Sequence, residues 1–261
     1  MQFIQAIAET TNNFINLIRA RGWIFALQAI LIHTVLYLLF VPNPLAWLII
    51  FPLFLAYSMA LLSYAHMLNS FADQKIDSKV GKSFALEKFP KLFALAILTV
   101  TGIISIAVPL LFDAQSIYIG VISFLLATFY SIKPLKLKEN GLAGVLTASL
   151  ASSTLPLLFL VSIIGGNIML GLFLSISLFF RQFMLELFHQ FKDYENDKKT
   201  NVKTFAIRLG QDKTKKTLGI VAVFYLIYLL FSFSFGVLEG VILFSVLLGN
   251  SIHQITEMLS L

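Results

Sequence analysis

Long runs of apolar residues, separated by short polar connections, dominate this sequence of 261 residues. Eight of these runs are long enough to cross a hydrocarbon core of about 30 Å. They show no alternation typical of strands and are too long for barrel strands, so only helices can span a bilayer here. The sequence predicts an all-α, polytopic bundle with spans near 23–41, 45–68, 92–111, 116–132, 142–164, 167–190, 217–235 and 237–257.

The positive charges are distributed unevenly between the connections. Two arginines, Arg19 and Arg21, precede the first span. Apart from these and Arg181, every Lys and Arg lies within 75–91, 133–138 or 192–216. The alternate connections contain none, and by the positive-inside rule the basic ones face the cytoplasm. The net charge of +6 therefore reflects a multi-pass protein in a lipid bilayer, and we expect no nucleic-acid partner.

The remaining composition leaves little room for other architectures. The chain has no cysteine, which excludes disulfides, Fe–S clusters and thiolate zinc sites. Residues 1–22 have polar interruptions and no small-residue cleavage pattern, so we predict an interfacial helix that ends at Arg19 instead of a signal peptide. We expect residues 1–261 to form a single membrane domain.

Two acidic motifs, 69–77 and 193–197, stand where long apolar helices meet basic connections. Their members are spaced by four residues, so each set lies along one face of a continuing helix. Because the C-terminal end of a helix carries partial negative charge, carboxylates there need a compensating cation. Mg²⁺ suits them, since it takes one or two carboxylates and is completed by water and phosphate oxygens. The members are Asn69, Asp73, Asp77, Asp193 and Asp197.

Polar residues continue from both motifs into the apolar helices. Ser63 and His66 precede the first motif, and Gln182, Glu186 and His189 precede the second. Ionisable groups inside a span are costly, which favours a functional role. We assign His66 and His189 to substrate binding instead of zinc binding. A buried structural pair between Glu186 and Arg181 is the alternative role for that glutamate.

Basic residues near both motifs are candidate phosphate ligands. After the fourth span, Tyr130 is followed by a connection in which lysines alternate with apolar residues, and we select Lys133 and Lys136 from it. A purely topological role explains those lysines but not Tyr130. Lys203, between Asn201 and Thr204, is the corresponding candidate after the second motif. The offset of about 120 residues between the motifs suggests a pseudo-repeat with the site at its interface.

With these three stretches, the chain resembles the UbiA superfamily of intramembrane prenyltransferases. The family's first motif is Asn-Asp-x-x-Asp-x-x-x-Asp, which Asn69, Asp73 and Asp77 match, while Ser70 replaces the first Asp. Residues 193–204 resemble the family's second motif. The connection at 130–138 is similar to the family's loop after the fourth span. The family has nine spans, so the expected count is eight to nine around a central cavity.

The resemblance implies a Mg²⁺-dependent prenyltransferase that moves a polyprenyl group from a prenyl diphosphate to a lipophilic or aromatic acceptor. The acidic residues would hold the metal ions, and Tyr130, Lys133, Lys136 and Lys203 would bind the diphosphate. A terpene cyclase of the same superfamily is the main alternative, and no residue separates the two. A transporter is a third possibility, but both acidic motifs lie at one membrane face instead of at the midplane.

Overall fold

The computed structural model describes residues 11–41, 46–78 and 89–259, except for a few side chains. The side chains not described are Arg21, Ala46, Trp47, Lys75, Ile76, Asp77, His253, Gln254, Met258 and Leu259. Within these ranges the structure contains helices and no strand, apart from one isolated bridge between Gly141 and Thr204. The prediction of an all-α fold is therefore confirmed.

Twelve helices follow one another along the described chain. They are α1 (11–17), α2 (Ala20–Phe40), α3 (Phe51–Asp77), α4 (Lys91–Ala107), α5 (Ala114–Ser131), α6 (Leu142–Ser149), α7 (Leu155–Ile164), α8 (Ile168–Lys192), α9 (Tyr194–Thr200), α10 (Phe205–Leu209), α11 (Gln211–Leu229) and α12 (Val237–Leu259). Short 3₁₀ turns lie at Pro109–Leu111, Leu137–Glu139 and Leu230–Phe235.

Seven helical segments in the described ranges are long and apolar enough to cross a bilayer. They match the first seven predicted spans, and α12, whose apolar part is the shorter stretch Val237–Ile252, matches the eighth. The chain is thus an integral membrane protein with several spans. The predicted N-terminal helix falls partly on residues 1–10, outside the described residues. Its described part, α1, ends before Arg19, whose φ of 55° separates it from α2.

The core of the bundle is built around α8, which contacts α2, α6, α7, α11 and α12. Large side chains such as Trp23, Tyr37 and Phe159 are almost completely buried there. Other large apolar side chains, including Leu92 and Phe224, are exposed on the outside of the bundle. Lipid is as apolar as these side chains, so the helices associate mainly through close packing and interhelical hydrogen bonds.

The span Leu142–Ile164 contains a π-helical turn at Leu150–Thr154, between α6 and α7. Pro156, in the first turn of α7, has no backbone N–H to donate to the preceding turn. The hydroxyls of Ser153 and Thr154 donate to the carbonyl of Ser149, at 3.1 and 3.0 Å. The helix therefore widens here while its polar groups remain bonded inside the bundle.

Three chain segments meet at one end of the bundle: the end of α3, the connection 132–141, and residues 193–210. The bridge between Gly141 and Thr204 joins the second segment to the third. Arg208 Nη2 also donates to the carbonyl of Glu139, at 3.0 Å. This end of the bundle carries both acidic motifs.

Candidate active site

The first acidic motif lies on the last turns of α3 and faces the connection after α5. The side-chain oxygen of Asn69 accepts hydrogen bonds from Ser131 Oγ at 3.1 Å and from Lys138 Nζ at 2.7 Å. Asp73, one turn further along, accepts a hydrogen bond and ion pair from the same ammonium group. Asp77 ends α3, and its side chain lies outside the described residues.

Lys138 is the lysine of this connection that enters the site. It is 8% exposed, and it stands in the 3₁₀ turn Leu137–Glu139. The left-handed backbone of Lys136, with φ of 37°, precedes that turn. Burial lowers the pKa of the Lys138 ammonium group, and the nearby carboxylate of Asp73 opposes that effect.

The two lysines predicted from the sequence, Lys133 and Lys136, form no hydrogen bond or ion pair with the described side chains of the first acidic motif, unlike Lys138. Lys133 is exposed, and Lys136 forms an ion pair with Glu139 in the same connection. The alternation of lysines pointed to this connection, but only its backbone path determines which lysine reaches the acidic motif. Lys138 is the functional candidate that the sequence analysis did not select.

The second acidic motif spans the junction of α8 and α9. Asp193 follows the last residue of α8, and its carbonyl accepts from the N–H of Asp197 at 2.9 Å. The helical stacking of the two aspartates therefore continues across the junction, as their spacing predicts. Thr204 Oγ1 donates to the carboxylate of Asp197 at 3.1 Å. The neighbouring Lys203 is exposed.

A chain of hydrogen bonds connects α5, α8 and α10 beside this motif. Gln190 Oε1 accepts from the backbone N–H groups of Phe205 and Ala206, at 3.0 and 3.4 Å. Gln190 Nε2 donates to Glu186 Oε1 at 3.1 Å, and Tyr130 Oη donates to the same oxygen at 3.1 Å. In the described part of the chain Glu186 makes these two bonds instead of the alternative pair with Arg181.

Tyr130 relates the two acidic motifs in space. Besides the bonded carboxylate of Glu186, the charges of Asp73 and Asp197 act on its hydroxyl. These two aspartates come from helices 124 positions apart in sequence, yet both lie within electrostatic range of one phenol. The structure thus brings Asn69, Asp73, Asp197 and Tyr130 to the same region.

A further basic residue approaches the first motif from the N-terminal side. Arg19 Nη1 donates to Ser70 Oγ at 2.8 Å, and Ser70 Oγ donates in turn to the carbonyl of His66 at 3.0 Å. His66 also lies within electrostatic range of Arg19 and of His189, which is itself exposed at the end of α8. Ser70, which replaces the first aspartate of the family motif, therefore binds the guanidinium group of Arg19 in this chain.

The donor set suits a hard divalent cation. Asp73 Oδ1 is buried and has no hydrogen-bond partner among the described residues, so one carboxylate oxygen is available as a ligand. Among those residues, no three His, Asp or Glu side chains are grouped closely enough to hold a metal ion by themselves. Mg²⁺ fits such a sparse set, because it is commonly held by one or two carboxylates with water and phosphate oxygens.

Comparisons with known proteins agree with this architecture. A model of the UbiA prenyltransferase family matches residues 29–257. A UbiA homologue from Archaeoglobus fulgidus, solved with GPP and Mg²⁺, has a TM-score of 0.75 at 16% identity, covering 95% of this chain and 87% of that one. Its structure with DMAPP and Mg²⁺ has a TM-score of 0.74 at 19% identity, covering 92% and 85%.

A structure that concerns digeranylgeranylglyceryl phosphate synthase in membranes is also similar. Its TM-score is 0.66 at 19% identity, and the likeness covers 94% of this chain and 87% of that one. No curated protein sequence matches this chain. At these identities the structural likeness shows the fold, while the family model covers most of the sequence. This chain therefore belongs to the UbiA prenyltransferase family.

Proposed function

We propose that this protein is a Mg²⁺-dependent prenyltransferase that moves a polyprenyl group from a prenyl diphosphate to a lipophilic or aromatic acceptor. The observation that carries the proposal is the contact of Lys138 with both Asn69 and Asp73. It places a buried cation against a carboxylate that retains an unbonded oxygen. A diphosphate site needs a basic group and a carboxylate, since a diphosphate binds basic groups directly and carboxylates through metal ions.

The acidic residues would share the metal-binding role. Asp73, Asp77, Asp193 and Asp197 provide hard oxygen ligands, and Asn69 orients the first set through its bonds to Ser131 and Lys138. When bound, Mg²⁺ would neutralise charge on the diphosphate and so favour its departure from the allylic carbon. The relatives solved with GPP or DMAPP and Mg²⁺ support this assignment.

The basic and aromatic residues would bind and orient the donor. Lys138 offers its ammonium group at the first motif, while Lys203 and Lys136 extend positive charge along the adjacent connections. Tyr130 would lie beside the reacting end of the donor, because its hydroxyl is within range of both motifs. We also propose Lys133 as a substrate contact at the exposed rim of the site. His66 and His189 would contact the substrate on the side of the site where Arg19 lies.

The surroundings suit a reaction that must exclude water. The prenyl tail would extend from the diphosphate into the apolar interior of the bundle, where a carbocation escapes premature hydrolysis. The lysine-rich connections and both motifs would face the cytoplasm, because the alternate connections carry no Lys or Arg. A soluble diphosphate would then enter from that side, and a lipid acceptor would enter from the bilayer.

The test uses purified protein in nanodiscs with geranyl or geranylgeranyl diphosphate. We expect Mg²⁺-dependent release of diphosphate that increases when a lipid extract of the source membranes is added, together with a prenylated lipid seen by mass spectrometry. Abundant cyclic hydrocarbon without extract would establish a cyclase instead. Failure of both donors to react or to bind would reject the proposed chemistry.

A further inference from the structure

Transfer to an external acceptor releases a proton, and the residues assigned so far do not receive it. In the proposed reaction the C1–O bond of the donor breaks, and its electron pair leaves with the diphosphate. An electron pair of the acceptor forms the new bond to C1. The acceptor then carries an excess proton, on oxygen or on a ring carbon, that must move to a base. The following inference rests on the proposed function.

Glu186 is held in a fixed orientation beside the site. Its Oε1 accepts hydrogen bonds from Tyr130 and from Gln190, each at 3.1 Å. Gln190 is in turn fixed by the N–H groups of Phe205 and Ala206 at the start of α10. One oxygen of the carboxylate is therefore engaged by two neutral donors on two helices, which fixes the direction of the other.

The second oxygen, Oε2, is available for chemistry. It accepts no hydrogen bond from the described residues. It is also not one of their polar atoms that are inaccessible to solvent and lack a hydrogen-bond partner. Glu186 as a whole is partly buried. A carboxylate oxygen that is accessible and has no hydrogen bond can accept one from a molecule that reaches it.

The position of Glu186 along α8 places it on the membrane side of the metal-binding residues. It precedes Asp193 by seven residues, which corresponds to about 10 Å of helix. Its partner Tyr130 lies within electrostatic range of Asp73 and Asp197. If the diphosphate lies at the acidic motifs and its tail extends inward, the first carbon of the tail lies on the side of Glu186.

Other side chains near Glu186 are less suited to receive the proton of the acceptor molecule. His66 lies near Arg19 and His189, so its ring is surrounded by basic groups. The hydroxyl of Tyr130 already donates a hydrogen bond to Glu186. A carboxylate within a span is costly to maintain, and in the described structure Glu186 has hydrogen-bond donors but no ion-pair partner to offset that cost.

We propose that Glu186 is the catalytic proton acceptor for the incoming acceptor molecule. As the acceptor attacks C1, its O–H or ring C–H bond breaks, the electron pair remains with the acceptor, and the proton moves to Oε2. Tyr130 and Gln190 are positioning residues that hold the carboxylate through Oε1. The proton returns to water when the product leaves. Ionisation of the donor does not depend on Glu186.

That separation gives a direct test with the Glu186→Gln variant. Geranyl diphosphate labelled with ¹⁸O at the bridging oxygen reports ionisation without an acceptor, because ionisation followed by return scrambles the label. We expect the exchange rate and donor affinity to stay within about threefold of wild type. Transfer to the source-membrane lipid extract should fall by about 100-fold or more, as expected for the loss of a general base. Glu186→Asp should recover part of the transfer.

Glu239→Gln is the matched control, since Glu239 lies in the first turn of α12 and outside the site. It should preserve both reactions. Near wild-type transfer by Glu186→Gln would overturn the assignment, as would an equal loss of exchange and transfer, which would place Glu186 in the ionisation step or in folding. If the wild-type protein itself neither scrambles label nor transfers, the proposed function fails along with this inference.

Discussion

Lys138 and Asp73 lie 65 residues apart in sequence and form an ion pair between the connection after α5 and the end of α3. Both side chains are largely buried, at 10% and 15% exposed. Breaking such a pair leaves an uncompensated charge in a poorly solvated site, which costs more than losing a surface contact. The contact thus ties the geometry of the first acidic motif to the path of a neighbouring loop.

We expect Lys138→Met to weaken donor binding by at least about tenfold. The variant loses the ammonium group that contacts Asn69 and Asp73, and a bond to a charged group contributes about 1.5–3 kcal/mol. Lys133→Met is the comparison within the same connection: Lys133 is exposed, so as a contact at the rim of the site its loss should weaken binding by only about threefold or less. Titration of geranyl diphosphate against both variants would decide. Equal effects would show that the loop acts only through its total charge.

Asp73→Asn should reduce Mg²⁺-dependent turnover by about 100-fold or more while the protein remains folded. The change removes hard oxygen charge but little volume, and Asn69 still accepts a bond from Lys138. Steady-state rates across a Mg²⁺ series would measure the loss, and thermal unfolding would confirm integrity. Asp197→Asn should behave similarly.

Asp113→Asn provides the control for these carboxylate substitutions. Asp113 caps α5 by accepting from the N–H of Ser116 at 2.8 Å, and Asn caps a helix about as well. Its activity should remain near that of wild type. Turnover by Asp73→Asn that matched this control at every Mg²⁺ concentration would contradict the metal-binding role.

Gly144→Ala should displace the loop that carries Lys138. A Cβ at position 144 would lie 2.9 Å from the carbonyl oxygen of Leu137 and 2.9 Å from Cα of Lys138, both of which are backbone atoms. We expect severalfold weaker donor binding and a lower unfolding temperature. Gly219→Ala, with open space around the added methyl, should show neither effect. A Gly144→Ala variant with unchanged donor affinity would argue against the loop placement.

Gln190→Leu should loosen the start of α10 and with it the segment that carries Lys203. The variant removes the acceptor of two backbone N–H groups and the donor to Glu186. Faster hydrogen exchange at Phe205 and Ala206 should accompany weaker donor binding. Gln28→Leu, at an exposed position of α2, should leave that exchange unchanged. Unaltered exchange in Gln190→Leu would rule out the anchoring role.

The spans were predictable because the bilayer limits the possible structures. A run such as 142–164 must be helical to satisfy its backbone in lipid, and the span Leu142–Ile164 has the same ends. The start of the first span was also close, at residue 23 against Gly22. The helix itself begins earlier, at Ala20, because the left-handed residue Arg19 precedes it and the apolar pattern does not register that residue.

The details of the site were less predictable because they depend on loop geometry. Helical spacing predicted only the local arrangement, in which Asn69 and Asp73 lie one turn apart on α3 and Asp193 and Asp197 stack across the junction of α8 and α9. The entry of Lys138 depends on the positive φ of Lys136 and on the close approach of Gly144, which a charge pattern does not encode. The bond from Arg19 to Ser70 likewise joins residues 51 positions apart, beyond the reach of any local signal.

The π-helical turn at Leu150–Thr154 gives one span two different orientations. A π turn contains one residue more than an α turn, which rotates the following residues by about 100° relative to an unbroken α-helix. The α6 half thereby packs on α8 and on the turn that holds Lys138, and the α7 half packs on α5. Deleting one residue here would turn one half away from its neighbour, so this segment tolerates replacement of side chains better than a change in length.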